Sequence, residues 1–372
     1  MGALSNIKIA DFSRVLAGPY ATMLLADMGA EVIKVERPVL GDDTRTWGPP
    51  YDAAGNATYF QSVNRNKRAV TADFSTQQGR AKALEIISTC DVLVENFAPG
   101  TMEKFGLGYS DLAAKFPTLI FCSISGFGSG EVARTLPGYD LLVQAMSGLM
   151  SITGSDAQHP TKVGVALVDV IAGLHTSLGI LAAINHRHVS GHGQKIEINL
   201  LSSALSAMVN QSGAYAGAGV TPTAMGNAHP SIAPYEVYET KEKKIVIAVG
   251  NDAQFAKFCV AIGADFAHDP RFATNPERVK NRNVLNELLT PLLAHKSAAQ
   301  WSEVLAKVGV PAGPINTIAE GVQFAQSLGL APIVTITDPR DGAVSKTIAN
   351  PITFSATPVE YHLGPPSLGA DD

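Results

Sequence analysis

Short runs of β-branched residues alternate with stretches of helical apolar spacing through the first half of the chain. Residues 7–11, 31–36 and 119–125 are strand-like, and residues 21–28 between the first two runs have the spacing of a helix. Strands joined through a helix pair in parallel, because a parallel crossover needs about a dozen residues or more. The alternation therefore predicts βαβ units and an α/β fold with a mainly parallel sheet.

The second half of the chain predicts a further unit. Residues 216–234 are rich in Gly, Ala, Pro and Thr and have no apolar period, so we interpret them as a linker. Strands are predicted beyond it near 235–238 and 244–249, with helices near 253–262, 282–293 and 298–308. The predicted division assigns 1–215 and 330–372 to a large domain, and 216–329 to linkers and a small α+β domain.

The composition is that of a soluble folded protein. Of 372 residues, 46% are hydrophobic and 16% charged, and the net charge is -5, which disfavours disorder and nucleic-acid binding. Cys90, Cys122 and Cys259 are too few and too widely spaced for a disulfide framework, so a cytoplasmic location is expected. The apolar stretch 163–184 carries Asp169 and other groups that are costly in lipid, and the N-terminus shows no export or lipidation signal, so no membrane association is expected.

Several common catalytic motifs are missing. The turn after the first strand, residues 12–19, has no GxGxxG, which disfavours a nicotinamide or flavin cofactor. Residues 126–130 lack the central Ser of GxSxG, and no phosphate-loop motif occurs. His186, His188 and His192 end a predicted helix beside a glycine turn, where a solvated basic patch is favoured over a ligand set, so no metal site is predicted.

Asp169 stands alone as a carboxylate among apolar residues, from 165 to 172. Such a residue is rarely incidental, because burying a charge is costly. One interpretation is a helix N-cap, for which Asp is well suited. The other is a nucleophile toward an activated acyl group, and the sequence favours neither over the other.

Cations cluster in the first hundred residues of this acidic chain. The cluster is either a solvated face or a directed anion site, and Arg45 and Arg65 lie in polar loops that suit the second interpretation. Its members are Arg14, Lys34, Arg37, Arg45, Arg65, Lys67 and Arg68.

Several long motifs occur in a recognisable order over residues 7–369. They are residues 14–19 (RVLAGP), 25–38 (LADMGAEVIKVERP), 91–100 (DVLVENFAPG) and 138–140 (GYD), followed by Asp169 at the start of its predicted helix. In this order they resemble the family III CoA-transferases, a group that includes formyl-CoA, carnitine-CoA and dicarboxylate CoA-transferases and the related acyl-CoA racemases. The resemblance implies a Rossmann-like large domain, a smaller domain and an interlocked homodimer.

The resemblance also implies roles for particular residues. Asp169 would attack the donor thioester to give an aspartyl anhydride and then an aspartyl-CoA thioester, with Tyr139 beside the acyl site. Coenzyme A would be a co-substrate, with no other cofactor and no metal. The implied CoA contacts are Val15, Leu16, Ala17, Asn96 and Phe97, with Arg37 near the adenosine end and Lys104 near the phosphates.

Within the family, the motifs favour a dicarboxylate acceptor. Racemases carry His-Asp where this chain has Tyr139-Asp140, and Tyr is a poor acid-base group at neutral pH. Residues 226–235 lack the glycine-rich lid expected of a formyl-CoA transferase. Residues 41–50, 62–68 and 199–203 look most like the succinyl-CoA:glutarate branch.

We therefore expect succinyl-CoA as donor and a small dicarboxylic acid, such as glutarate, itaconate or mesaconate, as acceptor. Arg45 is the first candidate to bind the distal carboxylate, with Arg65 and His229 in reserve. The alternatives are an acyl-CoA racemase or isomerase, or an acceptor such as formate, oxalate or carnitine.

Overall fold

The computed structural model describes residues 2–372, which divide into two compact units. The first contains the chain up to Met150, Lys162–Thr221 and Ala331–Asp372, and the second contains Ser151–Thr161 and Pro222–Leu330. Relative to the predicted division, residues 151–161 and 330 group with the smaller unit and residues 216–221 with the larger one.

The first unit is built on a six-stranded sheet in which each strand pairs in parallel with its neighbours. The strand order is β3-β2-β1-β4-β5-β6, which is the order of a dinucleotide-binding fold. The predicted α/β, Rossmann-like architecture is confirmed. The strands are β1 (Lys8–Asp11), β2 (Glu31–Glu36), β3 (Lys67–Thr71), β4 (Val92–Glu95), β5 (Ile120–Ser125) and β6 (Lys195–Asn199).

Helices cover both faces of this sheet. Alternate residues of the central strands enter different apolar clusters, Val92 and Val94 on one side and Leu93 on the other, as the two-residue period of a strand requires. The helices are α1 (Ala17–Asp27), α2 (Thr58–Gln61), α3 (Gln77–Ser88), α4 (Thr101–Lys104), α5 (Tyr109–Ala113), α6 (Asp140–Met146), α7 (Leu167–Ser190), α8 (Leu200–Ala207) and α9 (Val209–Ala218), with 3-10 turns at Asp43–Thr46, Ala133–Thr135 and Met150–Ile152.

Helix α7 packs against α1 on one face of the sheet. Gly173 permits this packing, since a Cβ there would lie 2.7 Å from the Ala17 carbonyl oxygen. By length and composition alone α7 is apolar enough to cross a membrane, a test that core helices of soluble proteins also pass. The helix carries Asp169 in its first turn, so its packing against α1 sets the position of that carboxylate.

The second unit has its own apolar core, in which Phe255, Phe258, Leu289 and Trp301 are buried. It contains an antiparallel sheet in the order β7-β8-β9, which agrees with the predicted α+β character. Its strands are β7 (Tyr235–Tyr238), β8 (Ile245–Ala248) and β9 (Ala312–Pro314), and its helices are α10 (Asp252–Ile262), α11 (Asn275–Lys280), α12 (Arg282–Leu293), α13 (Ala298–Ala306) and α14 (Ile318–Ser327), with a 3-10 turn at Phe266–His268.

The chain then returns to the first unit as an antiparallel hairpin, β10 (Ile333–Thr337) and β11 (Val344–Ile348). Buried Arg65 fastens this hairpin to α1. Its guanidinium contacts Asp27 at 3.0 and 2.6 Å and also donates to the Ile348 carbonyl at 2.9 Å.

Candidate active site

A cleft opens where the strand order of the large sheet reverses, between β1 and β4. In open parallel sheets, ligands bind beyond the carboxyl ends of the strands at such a point. The loops that follow β1, β4 and β5 line a cleft of about 260 Å³ that is open to solvent. Predicted site residues that line it are Val15, Leu16, Ala17, Asn96, Phe97, Tyr139 and Asp169.

Asp169 lies in the first turn of α7, but another residue caps that helix. The Asp140 Oδ1 atom accepts the backbone N–H groups of Val168, at 2.8 Å, and of Asp169, at 3.2 Å. Gln144 Nε2 donates to the other Asp140 oxygen at 2.6 Å and keeps the carboxylate in place. Asp140 therefore supplies the cap, and the Asp169 carboxylate is left to face the cleft.

The environment of Asp169 favours its neutral form. Burial and the neighbouring charge of Asp140 together raise the pKa of Asp169 to about 7. A carboxylate with this pKa is more basic than an ordinary aspartate and is still substantially ionised at neutral pH. Such a group suits nucleophilic attack on an acyl carbon, which supports the nucleophile interpretation.

Asn96 links the loop after β1 to the loop after β4. Its side chain accepts the Arg14 N–H at 2.8 Å and donates to the Arg14 carbonyl at 2.7 Å. The Arg14 guanidinium lies over the Phe97 ring, 5.4 Å from its centroid. These contacts hold the two predicted CoA-binding segments against each other.

Arg37 lines a neighbouring apolar pocket that shares Arg14 and Phe97 with the cleft. Asp43 bridges the two cations, contacting Arg14 at 3.0 Å and also pairing with Arg37. Aromatic rings from Phe12, Phe74, Phe97 and Phe105 line the same pocket. Because Arg14 and Phe97 line both, this pocket adjoins the cleft that contains Asp169.

Arg45 does not line the cleft. Its guanidinium makes a two-point ion pair with Glu36, at 2.8 and 2.7 Å, and donates to the Pro366 carbonyl at 3.1 Å. It also stacks on Phe60, 3.8 Å from the ring centroid. These donors thus serve contacts within the large unit, and the assignment of Arg45 as the carboxylate clamp stays a prediction.

Arg65 also makes its contacts within the large unit and does not line the cleft. Only 2% of its side chain is exposed, and its pairing with Asp27 and the C-terminal hairpin occupies its donors. Lys34 and Lys67 are fully buried in ion pairs with Asp42 and Asp11. Much of the cation cluster is therefore neither a solvated face nor an anion site.

Two further predicted residues lie elsewhere. Lys104 is exposed at the end of α4 and is not among the residues that line the cleft. His229 belongs to the second unit, where its Nδ1 accepts the Ser231 N–H at 3.1 Å and its ring lies 5.2 Å from that of Tyr235. Across residues 2–372, no group of His, Cys, Asp and Glu side chains is arranged to hold a metal ion, and the three histidines at the end of α7 form no such group.

Sequence reasoning missed Tyr59 on α2. Burial, with the charges of Asp169 and Asp140, raises the pKa of Tyr59 to about 12, so its hydroxyl keeps its proton and can donate a hydrogen bond near the carboxylates. Trp47 packs edge-on against its ring at 5.5 Å. No local motif marks Tyr59, because only the fold brings α2 and α7 together.

Comparison with known proteins agrees with this geometry. The profile of CoA-transferase family III matches residues 4–372. The "Succinate--glutarate CoA-transferase" of Agrobacterium fabrum is 40% identical over 373 residues, covering 98% of this chain and 93% of the relative. The "Succinyl-CoA:glutarate CoA-transferase" of Mus musculus is 38% identical over 371 residues, covering 99% of this chain and 84% of the relative.

A solved structure shares the fold. The crystal structure of a CAIB/BAIF family protein from Brucella suis superposes with a TM-score of 0.87 at 40% sequence identity, covering 99% of this chain and 97% of that one.

Proposed function

The chain belongs to CoA-transferase family III, and from that premise we propose that it moves CoA from succinyl-CoA to a small dicarboxylic acid such as glutarate. The observation that carries the proposal is the Asp169 carboxylate, which has a pKa of about 7 and faces a cleft lined by the predicted CoA-binding loops. The names of the relatives from Agrobacterium fabrum and Mus musculus support succinyl-CoA and glutarate as the substrate pair.

Asp169 begins the exchange as a nucleophile. Its carboxylate attacks the thioester carbonyl of the donor, the C–S bond breaks, and the products are a mixed aspartyl anhydride and CoA thiolate. The thiolate then attacks the aspartyl carbonyl, which releases the donor acid and leaves an aspartyl-CoA thioester. Each step conserves one activated acyl bond.

The acceptor reverses these steps. Its carboxylate attacks the aspartyl thioester, which forms a new anhydride and releases the thiolate again. Attack of the thiolate on the acceptor's acyl carbon yields the new acyl-CoA and restores the Asp169 carboxylate. Holding the thiolate and both acids in one cleft removes most of the entropic cost of these encounters.

Three groups in or near the cleft are suited to stabilise the charges that this chemistry involves. Helix α1 begins at Ala17 on the cleft wall, so its first-turn N–H groups stabilise negative charge that develops there. Arg14 lies between Asp169 and the Arg37 pocket, which suits the phosphate-bearing part of CoA. Tyr59 is not among the residues that line the cleft, but the charges of Asp169 and Asp140 help to raise its pKa, so its protonated hydroxyl is a candidate donor to the acceptor carboxylate.

Acyl exchange tests the proposal directly. The protein is incubated with succinyl-CoA and glutarate, and glutaryl-CoA is measured by mass spectrometry alongside a panel of other acids. In the presence of donor alone, hydroxylamine should attack the activated Asp169 carbonyl and convert it to a hydroxamate, with release of the donor acid or the CoA thiolate. Asp169→Asn should abolish both signals, whereas Asp43→Asn, which removes another cleft carboxylate, should retain the trapping.

Two results would refute the proposal. The first is full exchange by Asp169→Asn. The second is deuterium uptake at the α-carbon of a branched acyl-CoA without transfer to any acid, which would identify a racemase instead.

The same proposal includes a cytoplasmic homodimer without membrane association. Leu174 and Leu178 are 47% and 66% exposed and lie one turn apart on α7, so they form an apolar strip that a second subunit would cover. Free cysteines at Cys90, Cys122 and Cys259 fit a reducing compartment. Light scattering after size exclusion measures the mass, and a monomer that partitions into lipid vesicles would contradict this assignment.

A further inference from the structure

Side chains from distant segments hold the backbone between β1 and α1. The Ser13 N–H donates to Asp11 Oδ1 at 3.0 Å, and the Ser13 carbonyl accepts from Lys34 Nζ at 3.0 Å. Asn96 binds both polar groups of the Arg14 backbone. Apart from the local contact between Ser13 and Asp11, these hydrogen bonds come from Lys34 and Asn96, which are distant in sequence, so long-range contacts help to set the conformation of this loop.

Val15 has the least favourable backbone conformation in this loop. Its φ is 69°, in the left-handed region that β-branched residues rarely adopt. Both carboxylate oxygens of Asp42 accept the Val15 N–H, at 3.3 and 3.2 Å. A charged acceptor at this position compensates for the steric cost that the conformation imposes.

Asp42 is itself held rigidly. It is fully buried and pairs with the equally buried Lys34 at 2.9 Å. Its Oδ1 also accepts the Thr44 N–H at 3.0 Å and the Thr44 hydroxyl at 2.8 Å, while its own N–H donates to Glu36 at 2.8 Å. A carboxylate with these contacts cannot follow the loop if the loop moves.

We propose that Asp42 is a positioning residue for acyl-CoA binding: together with Lys34, it keeps Val15 left-handed so that Val15, Leu16 and Ala17 line the cleft. The inference rests on the proposed function, because it assigns these loop residues to the acyl-CoA. The proposal therefore predicts that replacing Asp42 weakens binding of the donor, succinyl-CoA. The acceptor acid, which meets Asp169, should be affected far less.

The test compares two double variants in which the buried pair has lost both charges. Lys34→Met/Asp42→Asn keeps an amide oxygen that can accept the Val15 N–H, and Lys34→Met/Asp42→Ala removes it. We expect the KM for succinyl-CoA to be about tenfold higher in the Ala variant than in the Asn variant. The KM for glutarate should agree between the two within about twofold.

A matched control separates positioning from stability. Asp27→Asn/Arg65→Met removes another buried ion pair of the same unit, which fastens the C-terminal hairpin and does not line the cleft. It should lower the melting temperature and leave the KM for succinyl-CoA within about twofold of wild type. Equal succinyl-CoA KM values in the Asn and Ala variants, with stability alone reduced, would overturn the proposal.

Val15→Gly provides a second measurement that does not depend on stability. Glycine adopts the left-handed conformation at little cost, so the loop should depend less on Asp42 when residue 15 is glycine. The increase in KM from the Asn to the Ala variant should shrink by about threefold or more in the Val15→Gly background. An unchanged increase would refute the role assigned to the backbone of Val15. A wild-type protein that binds no acyl-CoA would instead refute the proposed function, and this inference with it.

Discussion

Removing the charge of Asp140 should shift the pH dependence of the reaction. The pKa of Asp169 rises from 3.8 to about 7, first through burial and second through the negative charge of Asp140. Because the carboxylate must be ionised to attack the thioester, log kcat/KM for succinyl-CoA should increase with pH by about one unit per pH unit below 7 and level off above it. Asp140→Asn should move this inflection to lower pH.

The expected size of this shift in the inflection follows from the two causes of the raised Asp169 pKa. A unit charge at about 4 Å is worth roughly 1 to 4 kcal/mol between the dielectric of water and that of a protein surface, or about 0.7 to 3 pKa units. The whole rise is about 3 units, and burial is its largest cause, so Asp140 accounts for less than half. We therefore expect the inflection to fall by about one unit.

The assay is the initial rate of acyl exchange at low succinyl-CoA, measured from pH 5 to pH 9. The variants are compared by the pH of the inflection and not by the maximal rate. The amide introduced by Asp140→Asn can place an N–H donor against Gln144 Nε2, which would lower the activity for a reason unrelated to the pKa of Asp169. Asp43→Asn is the control for charge removal in the same cleft and should leave the inflection where it is. Glu95→Gln is a second control, because Glu95 also has a pKa of about 7; this variant should leave the inflection unchanged if Asp169 is the group that titrates.

Two results would refute this reasoning. A wild-type inflection near the ordinary aspartate pKa would show that Asp169 is not desolvated. An inflection that Asp140→Asn leaves in place, or that Glu95→Gln moves instead, would show that another group titrates.

Three further predictions concern neighbouring residues. Arg45→Ala should lower the free energy of unfolding by about 3 kcal/mol, because it removes the ion-pair partner of Glu36, and should leave the glutarate KM unchanged. A raised glutarate KM at unchanged stability would instead support Arg45 as the residue that binds the distal carboxylate of the acceptor. Arg14→Met should raise the succinyl-CoA KM about tenfold or more in steady-state assays, with a much smaller change for glutarate, and the opposite pattern would place Arg14 at the acceptor. Burial raises the pKa of Glu95 to about 7, so the folded state holds a proton that the unfolded state loses above about pH 4.5. Stability should therefore fall by up to about 3 kcal/mol as the pH rises to 7, and in chemical denaturation Glu95→Gln should flatten that slope.

The sheet was largely predictable because its strands are apolar runs covered on both faces. The observed bounds of β2 coincide with the predicted strand 31–36, and β1 and β5 each begin one residue after the predicted strands 7–11 and 119–125 and end with them. Strand β3 was missed because it begins with Lys67 and Arg68, which read as polar. Lys67 is nevertheless fully buried, since Asp11 on β1 neutralises it at 2.9 Å. A pairing between residues so far apart in sequence leaves no local pattern.

The sequence predicted which segments line the cleft, and it did not predict the ion pairs of the nearby arginines. The family motifs identified the segments around Val15, Asn96 and Asp169, and these do line one cleft. The sequence could not show whether Arg45 and Arg65 pair with carboxylates of the protein or bind an anionic ligand. An arginine has the same local sequence pattern in both cases. Glu36 and Asp27, which neutralise Arg45 and Arg65, reach them only through the fold.

Asp140 makes the capping contacts that were one of the two interpretations of Asp169, and the nucleophile role of Asp169 stays a proposal. An acid in the first turn of a helix is normally stabilised in its ionised form by the helix N–H groups, which would make it a weak nucleophile. Here Asp140 accepts those N–H groups, and burial first and the negative charge of Asp140 second raise the pKa of Asp169, which the helix dipole alone would lower. Because Asp140 provides the cap, Asp169→Asn leaves the start of α7 intact. Loss of acyl exchange in that variant therefore reports on chemistry and not on an unravelled helix.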